Sequence, residues 1–315
     1  MSLNMNLKLI RKNIYLAFIA LVVVPALVGC RNNINYEIVK TTLIKSIDEL
    51  PDSTFMRDAW GMQLVDNSIF FIETHSRQLI KLATDFSRNT RILNIGQGPQ
   101  EVIFPGNFFI YQDTVHIRDE GIVMKSFTTD NKFVRSSNLM TTFRRGSLNF
   151  TPRGRGFFRD NVLYMSAHNE DMNTSMVRIY LGGDNHTMES FGQAFKFRTP
   201  MQTSIRNGRH LLYGGSFFYA VSDNLPIIEK YCFCCHSLLE TFDYSFIPIV
   251  RRTLRTIASQ RLDDNQFMPM VRDSYIYDGS IFLLVDRQEG LNAILRVNLK
   301  PEFQLERIYL MMWTL

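Results

Sequence analysis

The sequence predicts an all-β fold: a β-propeller of four-stranded blades. Three observations predict it. One supersecondary unit recurs five times along 315 residues at blade-like spacing. Its strands are short, rich in β-branched and aromatic residues, and bounded by Asp-Asn, Gly-Gly-Asp and Asp-Gly turns. No long stretch carries a clear helical period.

The first copy enters through Asp66-Asn67-Ser68 into Ile69-Phe70-Phe71-Ile72, then runs Leu79-Ile80-Lys81-Leu82 and Arg91-Ile92-Leu93. The second has Gln112-Asp113-Thr114, Val115-His116-Ile117 and Val123 to Phe127, then turns at Thr129-Asp130-Asn131-Lys132. The third has Asp160-Asn161, Val162 to Met165, Met176 to Tyr180 and the turn Gly182-Gly183-Asp184-Asn185. The fourth has Phe217 to Val221, Ile227 to Tyr231 and Leu238 to Phe242; the fifth has Ile281 to Val285, Ala293 to Val297 and Phe303 to Ile308. With Ile69, Val115, Leu163, Phe218 and Ile281 as equivalent positions, the steps are 46, 48, 55 and 63 residues. That is the four-strand blade period of about 40–50 residues, with insertions in the later copies. A β-sandwich is the rival, but it requires neither this period nor a threefold strand unit repeated five times. Pro248 to Leu262 is the best helical segment, expected as one short helix between blades.

Residues 1–29 read as an export signal, 30–35 as a short tether and 36–315 as the propeller domain. Lys8, Arg11 and Lys12 form a basic n-region, and Ile14 to Val28 is uncharged and short for a membrane span. The segment ends Leu27-Val28-Gly29-Cys30, which resembles the bacterial lipobox. By that resemblance Cys30 becomes the first mature residue and carries the lipid, with the membrane as a partner through its acyl chains. An ordinary signal peptide and an uncleaved anchor are the alternatives. Removing residues 1–29, with three basic and no acidic residues, leaves 286 residues and takes the formal charge from +5 to +2. Nucleic acid is therefore not expected as a partner. A composition of 45% hydrophobic and 21% charged residues also excludes coiled coils, collagen-like chains and mainly disordered chains.

Gly96-Gln97-Gly98-Pro99-Gln100-Glu101 follows the first copy. It resembles the Gly-x-Gly-Pro-Gly-Glu link of TolB-like, NHL-like six-bladed propeller lipoproteins, with Gln100 in place of the third glycine. The phrase Phe218 to Pro226, with Ile228-Glu229-Lys230-Tyr231 after it, is similar to that family's fourth-blade phrase. The resemblance implies a lipid-anchored envelope protein, at the outer membrane, and carries over no catalytic residue. It also implies six blades where five are visible. Residues 36–50 supply one strand to a closing sheet, so the sequence predicts a ring cut short, with open edges that invite pairing.

The Gly96–Glu101 loop lacks the Lys-Ser/Thr end and following helix of a phosphate cradle, and Pro99 removes a donor; it reads as an inter-blade turn. Cys232-Phe233-Cys234-Cys235-His236 falls where other copies have a polar turn. It carries soft-metal ligand types but no second ligand pair, so an incidental turn, a disulfide and a metal site stay open in that order. No metal is assigned, nothing supports calcium or zinc, and no cofactor is expected. The acidic pairs Asp119-Glu120, Glu170-Asp171 and Asp263-Asp264 read as solvated turns. Asp113, Asp160 and Asp273 are conceivable channel metal ligands, with turn placement the plainer expectation. Arg144, Arg145, Arg153 and Arg155, interleaved with Phe143, Phe150, Phe157 and Phe158, are candidate ligand-binding residues; a solvated loop beside buried aromatics is the alternative. With no His-Glu-x-x-His motif or nucleophile elbow, the sequence favours a non-enzymatic binding or scaffold module for an envelope protein or glycan. An envelope hydrolase or lyase with a channel metal and a truncated inactive paralogue are the alternatives.

Overall fold

The computed structural model describes residues 36–41, 49–53, 55–56, 59–73, 75–120, 123–139, 148–150, 155–181, 187–260, 263, 266–287, 291–300 and 303–311. Contacts divide the chain into Met1–Glu37, of which only Tyr36 and Glu37 are described, and Ile38–Leu315, which holds the propeller.

The described residues form five antiparallel sheets. Blade 1 contains β2 (Ala59–Val65), β3 (Ser68–Glu73), β4 (Gln78–Ala83) and β5 (Asn89–Arg91). Blade 2 contains β6 (Pro105–Tyr111), β7 (Thr114–Asp119), β8 (Val123–Thr128) and β9 (Phe133–Asn138). In blade 3, β10 (Leu148–Phe150) and β11 (Phe157–Arg159) both pair with β12 (Val162–Asn169), followed by β13 (Thr174–Tyr180) and β14 (Thr187–Gln193). Blade 4 contains β15 (Arg209–Tyr213), β16 (Phe217–Ser222), β17 (Ile227–Cys232) and β18 (Leu238–Asp243). Blade 5 contains β19 (Val271–Tyr277), β20 (Ser280–Arg287), β21 (Leu291–Asn298) and β22 (Gln304–Met311), and β1 (Glu37–Thr41) joins β22 as a fifth strand.

The repeat read from the sequence has a common geometry. Each of Ile69, Val115, Leu163, Phe218 and Ile281 is the second residue of the strand that follows its blade's first two-strand turn, β3, β7, β12, β16 and β20. Their partners on the preceding strand are Leu64, Ile110, Phe158, Tyr213 and Ile276. The connecting turns need left-handed backbone, taken by Asp66, Gln112, Asp160, Gly215 and Asp278. Asp, Asn and Gly tolerate that conformation best, which is why these hairpins were visible as polar dipeptides.

Adjacent blades contact one another through β2 and β6, β6 and β11, β11 and β15, and β15 and β19. The first strand of each blade therefore lies toward the axis. Apolar side chains fill the seams. Phe70, Ile72 and Leu79 of blade 1 pack with Phe108, Val115 and Ile117 of blade 2. Phe109 and Met124 meet Leu163, Met165 and Val177, and Tyr164 and Met176 meet Leu211, Phe218 and Tyr231. Each fully buried Phe, Leu or Ile contributes about 1.5–3 kcal/mol. Middle strands are sandwiched between neighbours, so Phe70 to Glu73 and Val115 to Asp119 are buried at every position. The outer strand β9 alternates half-buried and exposed instead.

The five blades counted in the sequence are all present, and the sixth blade that the resemblance implies is not seen among the described residues. Five blades form the ring, and blade 5 reaches blade 1 where Tyr275 Oη donates to the Leu64 carbonyl at 3.5 Å. Residues 37–41 do serve the closing blade, as its outermost strand rather than as part of a sixth sheet. Thr41 Oγ1 donates to Leu310 O at 3.0 Å there.

Among the described residues, two helices sit in the connections. The expected one, α2 (Pro248–Ser259), lies between blades 4 and 5 and buries Val250 and Thr253. The sequence reading missed α1 (Pro200–Arg206), between blades 3 and 4. Its signal was present: Thr199 caps the Gln202 N–H at 3.2 Å and Pro200 opens the first turn.

Candidate functional site at the propeller axis

The two inter-blade phrases prove to be anchors. In the Gly96–Glu101 turn, the Gly98 N–H donates to Glu101 Oε2 at 2.8 Å. A side chain at Gly96 would lie only 2.1 Å from that same oxygen. The chain's own carboxylate thus fills the space a bound anion would need, so the turn is no phosphate cradle. Lys125 Nζ then reaches the Glu101 carbonyl and Asp119, the latter at 2.9 Å. Asp119 also accepts from the Ile103 and Phe104 amides at 3.0 and 2.8 Å, so this acidic residue is a buried strut rather than the solvated turn residue expected. Glu170 and Asp171 do lie in an exposed turn.

The phrase ending Ser222 to Pro226 makes a rigid corner. Ser222 Oγ accepts from the Leu225 N–H at 3.1 Å, and Asn224 Nδ2 donates to Arg206 O at 3.1 Å. The Asp223 carbonyl accepts from the Met270 and Val271 amides at 2.7 and 3.0 Å, tying blade 4 to the entry of blade 5. Burial raises the Asp223 carboxyl to about 7, against opposing contributions from Asn224 and Arg209.

The polar groups nearest the axis belong to blades 1, 2, 3, 4 and 5 together. Arg155 donates through Nε and Nη2 to both carboxylate oxygens of Asp273, and Nη2 also reaches the Met62 carbonyl. One guanidinium therefore links blades 1 and 5 from the approach to β11. Gly156 beside it makes that path possible, because a Cβ there would sit 2.3 Å from the Tyr164 carbonyl and 2.6 Å from Phe109. Arg155 also lies 6.0 Å from the Tyr275 ring centroid. A small cleft lined by Trp60, Gln63, Asn107, Phe108 and Arg155 adjoins it. Gln63 Nε2 is spent on the Phe108 carbonyl at 2.8 Å.

His210 completes the group, with Nδ1 3.9 Å from Asp273 Oδ1. Burial, reinforced by Arg155 and opposed by Asp273, lowers its pKa to about 4. His116, stacked on Phe158 at 4.3 Å and bonded to Ser126 Oγ at 2.9 Å, is lowered to about 4 by burial and Arg135. Both are neutral at pH 7 in the fold. An unfolded histidine titrates near 6.5, so the unfolded chain binds more protons between about 4 and 6.5 and stability falls as pH falls through that window. For His210 alone the loss from pH 7 to 4.5 is about 2 kcal/mol. The acid-induced drop in Tm is therefore expected to be several degrees smaller in His210→Gln than in the parent, measured by circular dichroism at both pH values. An equal drop in the two proteins would refute the assignment.

Of the residues singled out from the sequence, Arg155 and Asp273 come together, but as partners of each other. Asp113 and Asp160 lie in exposed hairpin turns, away from the axis. Arg159 stands apart from Arg155, over Tyr213 and Phe233 at 4.4 and 5.3 Å. Leu27, Val28, Gly29, Cys30, Arg144, Arg145 and Arg153 lie outside the described residues. Cys232, Cys234, Cys235 and His236 belong to the β17–β18 turn, whose Phe233 packs against Phe157 of β11 and Tyr213 of β15.

No family model matches the chain, and no curated protein sequence matches it. Solved structures do. A protein described as exported, from Bacteroides fragilis NCTC 9343, is similar over 88% of this chain and 80% of its own, at 14% identity and a TM-score of 0.52. A luciferin-regenerating enzyme aligns over 80% of this chain and 76% of its own, at 11% identity and a TM-score of 0.48. The β-propeller domain of Cps50 (Swd1) from Myceliophteria thermophila aligns over 80% and 73%, at 5% identity and a TM-score of 0.46. The class of protein is thus a five-bladed β-propeller; at these identities the likeness is one of fold.

Proposed function

We propose that this chain is a TolB-like, NHL-like envelope lipoprotein, anchored through Cys30 at the outer membrane, whose propeller binds an envelope protein or glycan without catalysing a reaction. The observation that carries the non-enzymatic part is the Arg155–Asp273 pair. Asp273 is the sole carboxylate on β2, β6, β11, β15 and β19, and both its oxygens face a guanidinium. A channel metal enzyme needs several free acidic or amide ligands converging on one point. Here the carboxylate is neutralised and Gln63 is engaged with backbone. Export is supported by the Leu27-Val28-Gly29-Cys30 sequence and by the exported Bacteroides protein of similar fold.

The anchoring part is tested by metabolic labelling with a palmitate analogue: label is expected on the parent and none on Cys30→Ala. Label retained by the variant refutes it. The binding part is tested by passing the intact lipoprotein over envelope glycans and by crosslinking in the native envelope. A saturable complex is expected. Hydrolysis of lactone, ester or glycoside substrates that is abolished by a chelator would overturn the reading.

A further inference from the structure

We infer that Cys232, Cys234 and Cys235 form a three-thiolate site for a soft monovalent cation, Cu(I) being the biological ion of that class. The three sulfurs all lie within 4.8 Å of one another on one side of the β17–β18 turn. With metal–sulfur bonds of about 2.3 Å, three thiolates around one ion stand about 4 Å apart, so the apo arrangement needs only small side-chain rotations. Cys234 and Cys235 are exposed and Cys232 half-buried, leaving an entry path.

The turn holds this geometry by backbone bonds. Cys232 N–H donates to Ser237 O at 3.0 Å, and His236 N–H donates back to Cys232 O at 3.0 Å. His236 adopts left-handed backbone, φ 57°, which swings its ring away onto blade 3. There the ring stacks on Tyr164 at 5.7 Å, and its nitrogens lie 3.2 Å from Tyr164 Oη and 3.1 Å from Arg178 Nη1. The imidazole is thus committed as a wedge, and it fixes the turn rather than joining the sulfurs. Among the described residues no other His, Cys, Asp or Glu joins the sulfur group.

That ligand count selects the ion. Zinc takes four ligands in structural sites, whereas soft thiolates without a fourth donor suit Cu(I). Binding is written as three thiols plus Cu(I) giving one tris-thiolate complex and three released protons, with no change of oxidation state.

The test uses the full-length chain, reduced and anaerobic, titrated with Cu(I) against a chromophoric chelator. One ion per chain is expected, with sulfur-only neighbours by X-ray absorption at the copper edge. Cys234→Ser and Cys235→Ser should each weaken binding about a hundredfold or more. Both sit on an exposed turn, and unchanged circular dichroism would verify their fold. In the unlipidated full-length chain, Cys30→Ser, which removes the remaining thiol, should leave affinity unchanged. The inference is overturned if Cys30→Ser abolishes binding, if Zn(II) displaces Cu(I) at equal concentration, or if the reduced chain takes up no copper. It is also overturned if a Cys232–Cys234 disulfide, seen as a mass loss of two hydrogen atoms, resists reduction in the folded protein.

Discussion

Arg209→Met is expected to lower stability by about 3–5 kcal/mol, enough to drop Tm by about 10 °C. Arg209 is the largest fully buried side chain of the described residues. Its Nη2 lies 3.4 Å from Glu229 Oε2, and its guanidinium carbon stands 4.2 Å from the centre of the Phe195 ring. Removing it strands two buried carboxyls, Glu229 and Asp223, which burial already raises and which Arg209 holds down. Groups whose folded pKa is raised support the fold at low pH and lose that support as pH rises through the folded value. Without Arg209 both rise further, so the penalty should be smaller at pH 5 than at pH 8. Arg209→Met with Glu229→Gln should recover much of the loss, because breaking a buried pair costs more than replacing it with neutral groups. Thermal unfolding of the parent, Arg209→Met, Glu229→Gln and the double variant at two pH values checks this. A loss below about 1 kcal/mol in the single variant, or one that grows on acidification, would show that Arg209 does not hold the pair.

Much of the architecture was legible because hairpins and blade seams are local. The two-residue turns after Val65, Tyr111, Arg159 and Tyr277 need residues that tolerate left-handed backbone, and Asp66, Gln112, Asp160 and Asp278 with their neighbours marked them. Blade number was less legible. The resemblance implies six, five are present among the described residues, and no local pattern states how many sheets make the ring. The site was legible only in its members. Arg155 was noticed among neighbouring arginines and Asp273 as a possible metal ligand, yet they pair across 118 positions. The buried charges were hidden for a different reason. Arg209 and Glu229 are charged residues beside apolar ones in short strands, and a charge on a strand ordinarily marks a solvated face. In a blade sandwiched on both sides, that second face is interior, and a charge placed there must find its partner inside.

Arg155→Met is expected to cost about 2–3 kcal/mol, and Asp273→Asn a similar amount, with a coupling of about 1–3 kcal/mol in the double-mutant cycle. The pair is partly exposed, 12% and 28% by side chain, so it is worth less than the Arg209 cluster and should weaken in high salt. Its geometry is bidentate, with Nε and Nη2 on the two oxygens of one carboxylate. A lysine ammonium offers no such fork, so Arg155→Lys should recover less than half of the loss. Because Arg155 also reaches the Met62 carbonyl, the pair clasps the ring where its first and last blades meet. Limited proteolysis should therefore cut single variants faster than the parent. The cycle separates a clasp from a ligand grip. For a clasp, the second substitution adds little once the first is made, and partner binding by the folded variants is retained. If the losses are additive and binding disappears only with Arg155, the guanidinium serves the ligand, and the adjoining cleft beside Trp60 and Gln63 is where that ligand sits.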